Sequence, residues 1–263
     1  MLMKIDVARI LETLKSRHLL PDTCQAAFLV GSAARGWSNK KSDIDVYLVS
    51  TDPWPMRDLV GVPVPLEPAE VGWHSSYIDN RGWDLAYWLD TQVDQMLAKV
   101  SWTDYDQTRA ASGDALAPRE EVFLERVTTC VPLMGEDWLA RRRAEVESSA
   151  YRSILVTRSL GAADMAVEDT LGQLEDGDVN SAVLSARTAL SHIVDALLEE
   201  RGQYGSYIPK WRARRFQEAD PTALPFAKYW ELETMQSFDP RDPSKWINEV
   251  LTLCQDLSLK IEV

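Results

Sequence analysis

Hydrophobic positions along the 263 residues change period near the middle of the chain. Residues 3–17 place Met3, Val7, Ile10, Leu11 and Leu14 on one helical face, and Pro21 closes that segment. An apolar run from Ala26 to Val30 follows, which is the length of a short buried strand. Gly31-Ser32 then predicts a tight turn, Ala33 to Trp37 a first helical turn, and Asp43 to Val49 a second strand. Asp52-Pro53-Trp54-Pro55 interrupts regular structure, and the three prolines of residues 61–70 predict a loop or sheet edge. Val71 to Ile78 and Trp83 to Leu89 read as strands across the turn signal Asp79-Asn80-Arg81-Gly82.

From there the period is helical. Thr91 to Val100 and Pro118 to Leu133 are expected helices, the second with Pro118 in its first turn, Glu120 and Glu121 near its positive end, and Val122, Phe123, Val127 and Val131 inward. Gly135-Glu136-Asp137, followed by the charged run 138–143, is the expected boundary between a domain over 1–138 and one over 139–263. Beside Glu145 and Glu147, that arginine run reads as a solvated helix face. Residues 139–175 hold no proline and carry helical spacing throughout. Asp176-Gly177-Asp178 turns the chain with Asp178 as N-cap, a helix runs from Val179 to Arg201 and stops at Gly202, and two more lie near 222–237 and 243–259. The expected fold class is α/β (α+β): an N-terminal domain with a small mixed sheet, then an all-α bundle. No internal repeat or low-complexity segment is visible.

Composition narrows the function classes. An apolar content of 45 % suits a real core, and no window reaches the ~18 uninterrupted apolar residues of a membrane span. The start MLMKIDVARILETLK is amphipathic and charged, unlike a signal peptide. Cys24, Cys130 and Cys254 are isolated, which suggests neither a disulfide framework nor a thiolate metal cluster and fits a reducing cytoplasm. His18 and His74 have no metal-ligand spacing to another His or Cys. A net charge of −13 argues against a sequence-independent grip on nucleic acid and favours a cationic partner. Ten tryptophans read as core, with a flat wall for a sugar or base as the functional alternative.

The candidate chemistry lies in FLVGSAARGWSNKKSDIDVYLV, residues 28–49. On an extended chain Asp43 and Asp45 project to one side about 7 Å apart, with Ile44 and Val46 facing the core. Two carboxylates there repel unless a divalent cation lies between them, and hard oxygen ligands suit Mg²⁺ shared with a polyphosphate. Gly31 permits close backbone approach, and N–H groups after Ser32 form an anion site. An acid at Asp84, near the start of an apolar strand, is costly to bury without a partner unless it faces water at the strand end.

Gly31, Ser32, Arg35, Gly36, Ser42, Asp43, Ile44 and Asp45 together resemble the signature of the DNA polymerase β-like nucleotidyltransferases: Gly-Ser, a short helix, then Asp-x-Asp on a strand. That resemblance implies a Mg²⁺-dependent transfer of AMP from ATP, with Asp43 and Asp45 on the metal and Gly31, Ser32, Arg35 and Ser42 at the nucleotide. Asp84 stands where the family carries its third carboxylate, as a metal ligand or as base for the attacking hydroxyl. The layout is closest to the aminoglycoside adenylyltransferases with a helical second domain, a branch that modifies antibiotics. It implies that Arg187 and Lys210 reach the nucleotide phosphates, although the segment between them is longer here. The acceptor is then a small, cationic, hydroxylated molecule, and Asp176 and Asp178 are candidates to hold its ammonium groups. A protein acceptor, as for antitoxin-type adenylyltransferases, and a non-catalytic nucleotide sensor are the alternatives. Arg187 and His192 also fit the Arg-x4-His pattern of HEPN ribonucleases, yet five residues turn a helix through about 500° and hold the two side chains apart. A structural histidine is the simpler reading of His192.

Overall fold

The computed structural model describes residues 6–54, 59–108 and 115–263; Met3 and Pro55 therefore lie outside the described residues. Contacts divide the chain into two compact units, one reaching Gln107 and resuming as far as Ser149, the other running from Ala150 to Val263.

The first unit is built on a mixed six-stranded sheet of order β3-β4-β5-β2-β1-β6. Its strands are β1 (Cys24–Val30), β2 (Ile44–Ser50), β3 (Val60–Pro63), β4 (Glu70–Ile78), β5 (Arg81–Leu89) and β6 (Val131–Met134). β2 and β5 run parallel at the centre and the other neighbours are antiparallel. The proline-containing stretch after residue 60 supplies an edge strand, where a missing N–H costs nothing. Asp79 and Asn80 both take positive φ, 50° and 60°, so β4 and β5 are joined by a two-residue turn whose twist suits a hairpin.

Ile44, Val46 and Leu48 of β2, Ala27 and Leu29 of β1 and Leu85 and Tyr87 of β5 bury one sheet face together with Ile10 and Leu14 of α1 (Val7–Ser16). Asp6 caps that helix by accepting from the Arg9 N–H at 3.2 Å. The other face carries an aromatic cluster: Phe28, Tyr47 and Trp88 from the strands, Phe123 from α5 (Pro118–Thr129) and Trp138 from α6 (Glu136–Ser148). Tyr47 and Phe123 stack at 5.7 Å between centroids.

Three expectations are corrected here. The helix expected over 118–133 ends at Thr129, and Val131–Met134 pairs with β1 as an edge strand. Val131 precedes Pro132, which disfavours its helical conformation, and an edge position tolerates the proline. The strand expected to begin at Asp43 begins at Ile44, with Asp43 on the loop that feeds it. The arginine run lies inside α6 with mixed roles: Arg142 pairs with Asp90, Asp94 and Glu145, and Arg143 donates to the Val127 and Cys130 carbonyls, while Arg141 is exposed. Two further helices of this unit, α3 (Asp90–Lys99) and α4 (Trp102–Thr108), flank the sheet in sequence.

The second unit is all helix. α7 (Tyr151–Glu175) and α8 (Val179–Glu200) form a hairpin about Gly177, and α9 (Arg212–Ala219), α10 (Phe226–Glu233) and α11 (Pro243–Ser258) complete it. Its core gathers Ala182, Leu190, Ile193 and Leu197 of α8 with Phe216, Tyr229, Leu232, Trp246 and Val250. Asp178 is the N-cap of α8, accepting from the Ser181 N–H at 3.1 Å. Among the described residues no helix is long and apolar enough to cross a membrane.

Candidate active site

The sheet register gathers the acids of the first unit. Asp45 pairs with Asp84 across the parallel β2–β5 ladder, so the two residues are adjacent on one face, about 5 Å apart at Cα. Extending the row, Val30 of β1 stands opposite Asp45 and Ser75 of β4 opposite Asp84. Asp43 precedes β2 on the same side and is exposed, while Asp45 and Asp84 are half-buried. Like charges on neighbouring strands are unfavourable on their own.

Two glycines leave room for these carboxylates. Gly31 has φ +67°, and a Cβ there would stand 2.7 Å from Asp45 Oδ2. A Cβ on Gly82 would strike Asp43 Oδ1. Gly31 opens α2 (Gly31–Ala34), a single turn whose N-terminus no side chain caps. The loop before β2 is cinched: Ser42 Oγ accepts from the Asn39 N–H at 2.9 Å, and Arg81 Nε donates to the Ser42 carbonyl at 2.8 Å.

Buried charges adjoin the row. Arg35, a tenth exposed, pairs with Glu125 at 2.7 Å and stacks on Trp37. Arg126 Nη1 donates to the Tyr47 hydroxyl at 2.6 Å. Burial alone would lower the Arg126 guanidinium, but Tyr47, Asp45 and Glu125 around it hold it above its ordinary range. Burial likewise pushes the Tyr47 phenol up, opposed by Arg126. Positive charge is thus fixed two residues along β2 from Asp45.

Asp84 accepts from Ser75 Oγ at 2.5 Å, and that hydroxyl accepts from Trp73 Nε1 at 3.0 Å. Neither Ser75 nor Trp73 was singled out in the sequence, although a two-residue turn at 79–80 sets residue 75 opposite 84. Arg126 was also missed, and Gly82 was read only as part of a turn signal.

Of the sequence candidates, Gly31, Ser32, Arg35, Ser42, Asp43, Asp45 and Asp84 all fall in the first unit. Arg187, Lys210, Asp176 and Asp178 belong to the second, each exposed. Lys210 sits on a 3-10 turn (Pro209–Trp211) with its Nζ 5.7 Å from the Trp211 ring. Asp176 is the C-terminal cap of α7, and Asp178 has a capping partner, whose hydrogen bond holds its carboxyl below the ordinary range. His192 is half-buried: burial pushes its imidazole down, as do Arg212 and Arg158, against Asp195.

One solved structure, a nucleotidyltransferase-like protein from Exiguobacterium sibiricum 255-15, aligns over 97 % of this chain and 75 % of its own, with TM-score 0.51 and 12 % identity. The two chains share a fold. At that identity the likeness is one of fold. No family model matches the chain, and no curated protein matches it.

The row of carboxylates raises the question of a metal. Among the described residues no three of His, Cys, Asp and Glu are drawn into a group that could hold one. The donor set is nonetheless that of a hard cation, since Mg²⁺ is commonly held by one or two carboxylates with substrate phosphates completing its shell. Asp43 and Asp45, each with its carboxylate over a glycine that leaves it space, fit that incomplete kind of site.

Proposed function

We propose that the chain is a nucleotidyltransferase that moves AMP from ATP to a hydroxyl of a small, cationic acceptor. The observation that carries this reading is the row Asp45–Asp84, in register on parallel strands, with Asp43 beside it and the Gly31 turn against Asp45. Asp43 and Asp45 would hold Mg²⁺, whose charge would offset that of the triphosphate and of leaving pyrophosphate. The Gly31-Ser32 turn would present backbone N–H groups to phosphate oxygens. Asp84 would orient the acceptor hydroxyl and receive its proton. Lys210 and Arg187, both exposed, are assigned to the nucleotide phosphates by resemblance. Arg35, assigned to the nucleotide by resemblance, is paired with Glu125.

A pyrophosphate-release screen of nucleoside triphosphates against a panel of hydroxylated amines, aminoglycosides included, tests the reading. Mg²⁺-dependent release that needs both ATP and an amine, and that yields an AMP-modified product by mass, is expected. ATP turnover that is indifferent to every amine but labels a protein would move the acceptor to a polypeptide.

A further inference from the structure

A carboxylate that receives a proton must offer the right oxygen, and Asp84 sits at the end of a hydrogen-bonded chain able to select it. The Ser75 hydroxyl has one hydrogen and donates it to Asp84 Oδ1 at 2.5 Å. A serine rotor alone could turn that hydrogen elsewhere. Here the Trp73 indole, which can only donate, places its N–H on the oxygen of the exposed Ser75 at 3.0 Å, so the serine hydrogen turns away from the ring and towards the acid. The register builds the chain. Ser75 faces Asp84 directly across the β4–β5 ladder, and Trp73 follows two residues along β4 on the same face. Trp73 is half-buried, which limits how far the ring can swing.

We propose that Trp73 and Ser75 are positioning residues that tie Asp84 Oδ1 and leave Oδ2 as the oxygen presented to the acceptor hydroxyl. The inference rests on the nucleotidyl-transfer reading above. In that reaction the acceptor oxygen bonds to the α-phosphorus as the bond to pyrophosphate breaks, and the hydroxyl proton passes to Asp84 Oδ2. With Oδ1 held by a donated hydrogen bond, the carboxylate cannot rotate freely, and the receiving oxygen is fixed relative to the Asp45 row.

The test uses the full chain and has two arms. In the first, the Trp73 indole N–H is assigned in proton–nitrogen spectra by its loss in Trp73→Phe. Asp84→Asn should move that signal, and in a Ser75→Ala background the same change should leave it where it was. An indole signal unmoved by Asp84→Asn in the wild-type background overturns the chain without any assay of activity. In the second arm, pyrophosphate release is followed with Mg²⁺, ATP and the aminoglycoside panel. Ser75→Ala should lower kcat about tenfold or more with KM for ATP within about twofold, as loss of an outer partner does. Ser75→Thr, which keeps the hydroxyl, should restore kcat. Trp73→Phe should lower kcat in the wild-type background and add nothing to Ser75→Ala. Wild-type kcat in Ser75→Ala beside an inactive Asp84→Asn overturns the positioning role alone. No turnover from the wild-type chain counts against nucleotidyl transfer, and the spectra still decide the hydrogen-bonded chain.

Discussion

Asp45 Oδ2 and the Cα of Gly31 approach so closely that a Cβ would come within 2.7 Å of the carboxylate oxygen. The turn that starts α2 and the acid at the head of β2 are therefore one structural unit, joined through the Val30–Asp45 pair. Gly31→Ala adds two costs. A left-handed backbone is unfavourable for alanine by about 1–2 kcal/mol, and the new methyl must displace the acid. An unfolding free energy lower by that order in urea denaturation is expected, together with loss of ATP affinity in calorimetry. An alanine variant that binds ATP like wild type would separate the turn from the nucleotide.

Asp45 and Asp84 stand in register on parallel strands, so each destabilises the other by like charge. Asp45 also favours the buried Arg126 guanidinium, so the two effects oppose each other and Asp45→Asn should leave the melting temperature nearly unchanged. In the proposed reaction the same change removes an anionic ligand from Mg²⁺, and losing several kcal/mol of charge stabilisation corresponds to about a thousandfold in turnover. The pairing of unimpaired stability with lost transfer is the expected outcome. A variant that melts earlier would show that Asp45 supports the fold.

Much of this arrangement was legible in the chain because local chemistry forces it. Alternation places Asp43 and Asp45 on one side, and Asp79-Asn80 specifies a hairpin whose register follows by counting outward from the turn. What the turn could not give is the parallel neighbour. β2 reaches β5 only after the chain has made β3 and β4, so the Asp45–Asp84 pairing is a consequence of sheet order. The strand at 131–134 was hidden by apolar positions that also suit a helix, and Pro132 was the overlooked signal. Of the basic residues at 210–215, Lys210 is exposed, but Arg212 and Arg215 turn inward onto one acid, a partnership between residues far apart in sequence.

That acid is Asp195 of α8. It accepts from Arg212 Nη2 at 2.7 Å and from Arg215 Nη2 at 2.8 Å, and all three residues are buried. Asp195→Ala would leave two buried guanidinium groups without their shared counter-charge. Breaking such a cluster by removing one member costs about 3–5 kcal/mol. A matching loss of helical-unit stability in urea denaturation followed by far-ultraviolet dichroism is expected, with Asp195→Glu recovering part of it. Unchanged stability in the alanine variant would mean that water reaches both arginines.

One turn further along α8, Glu199 is fully buried, and burial with Asp195 nearby pushes its carboxyl up to about 8, against Ser159, Arg158 and Ser206, which favour its charged form. Ser159 Oγ donates to Glu199 Oε2 at 2.7 Å, and Arg158 lies 3.9 Å from Oε1. The sign follows from proton binding. An acid that holds its proton more tightly when folded gives the folded state the larger proton count, so stability falls as pH rises from the ordinary glutamate range, 4.5, towards 8. Above that window both states are ionised and the penalty is complete. Glu199→Gln keeps the shape and the hydrogen-bonding reach while removing the ionisation, so its advantage over wild type should be small at pH 5 and grow to a plateau near pH 9. Melting temperatures of the two chains across that range decide the matter. A gap that stays constant with pH would show that Glu199 is ionised in the fold throughout, with Arg158 and not the proton as its partner.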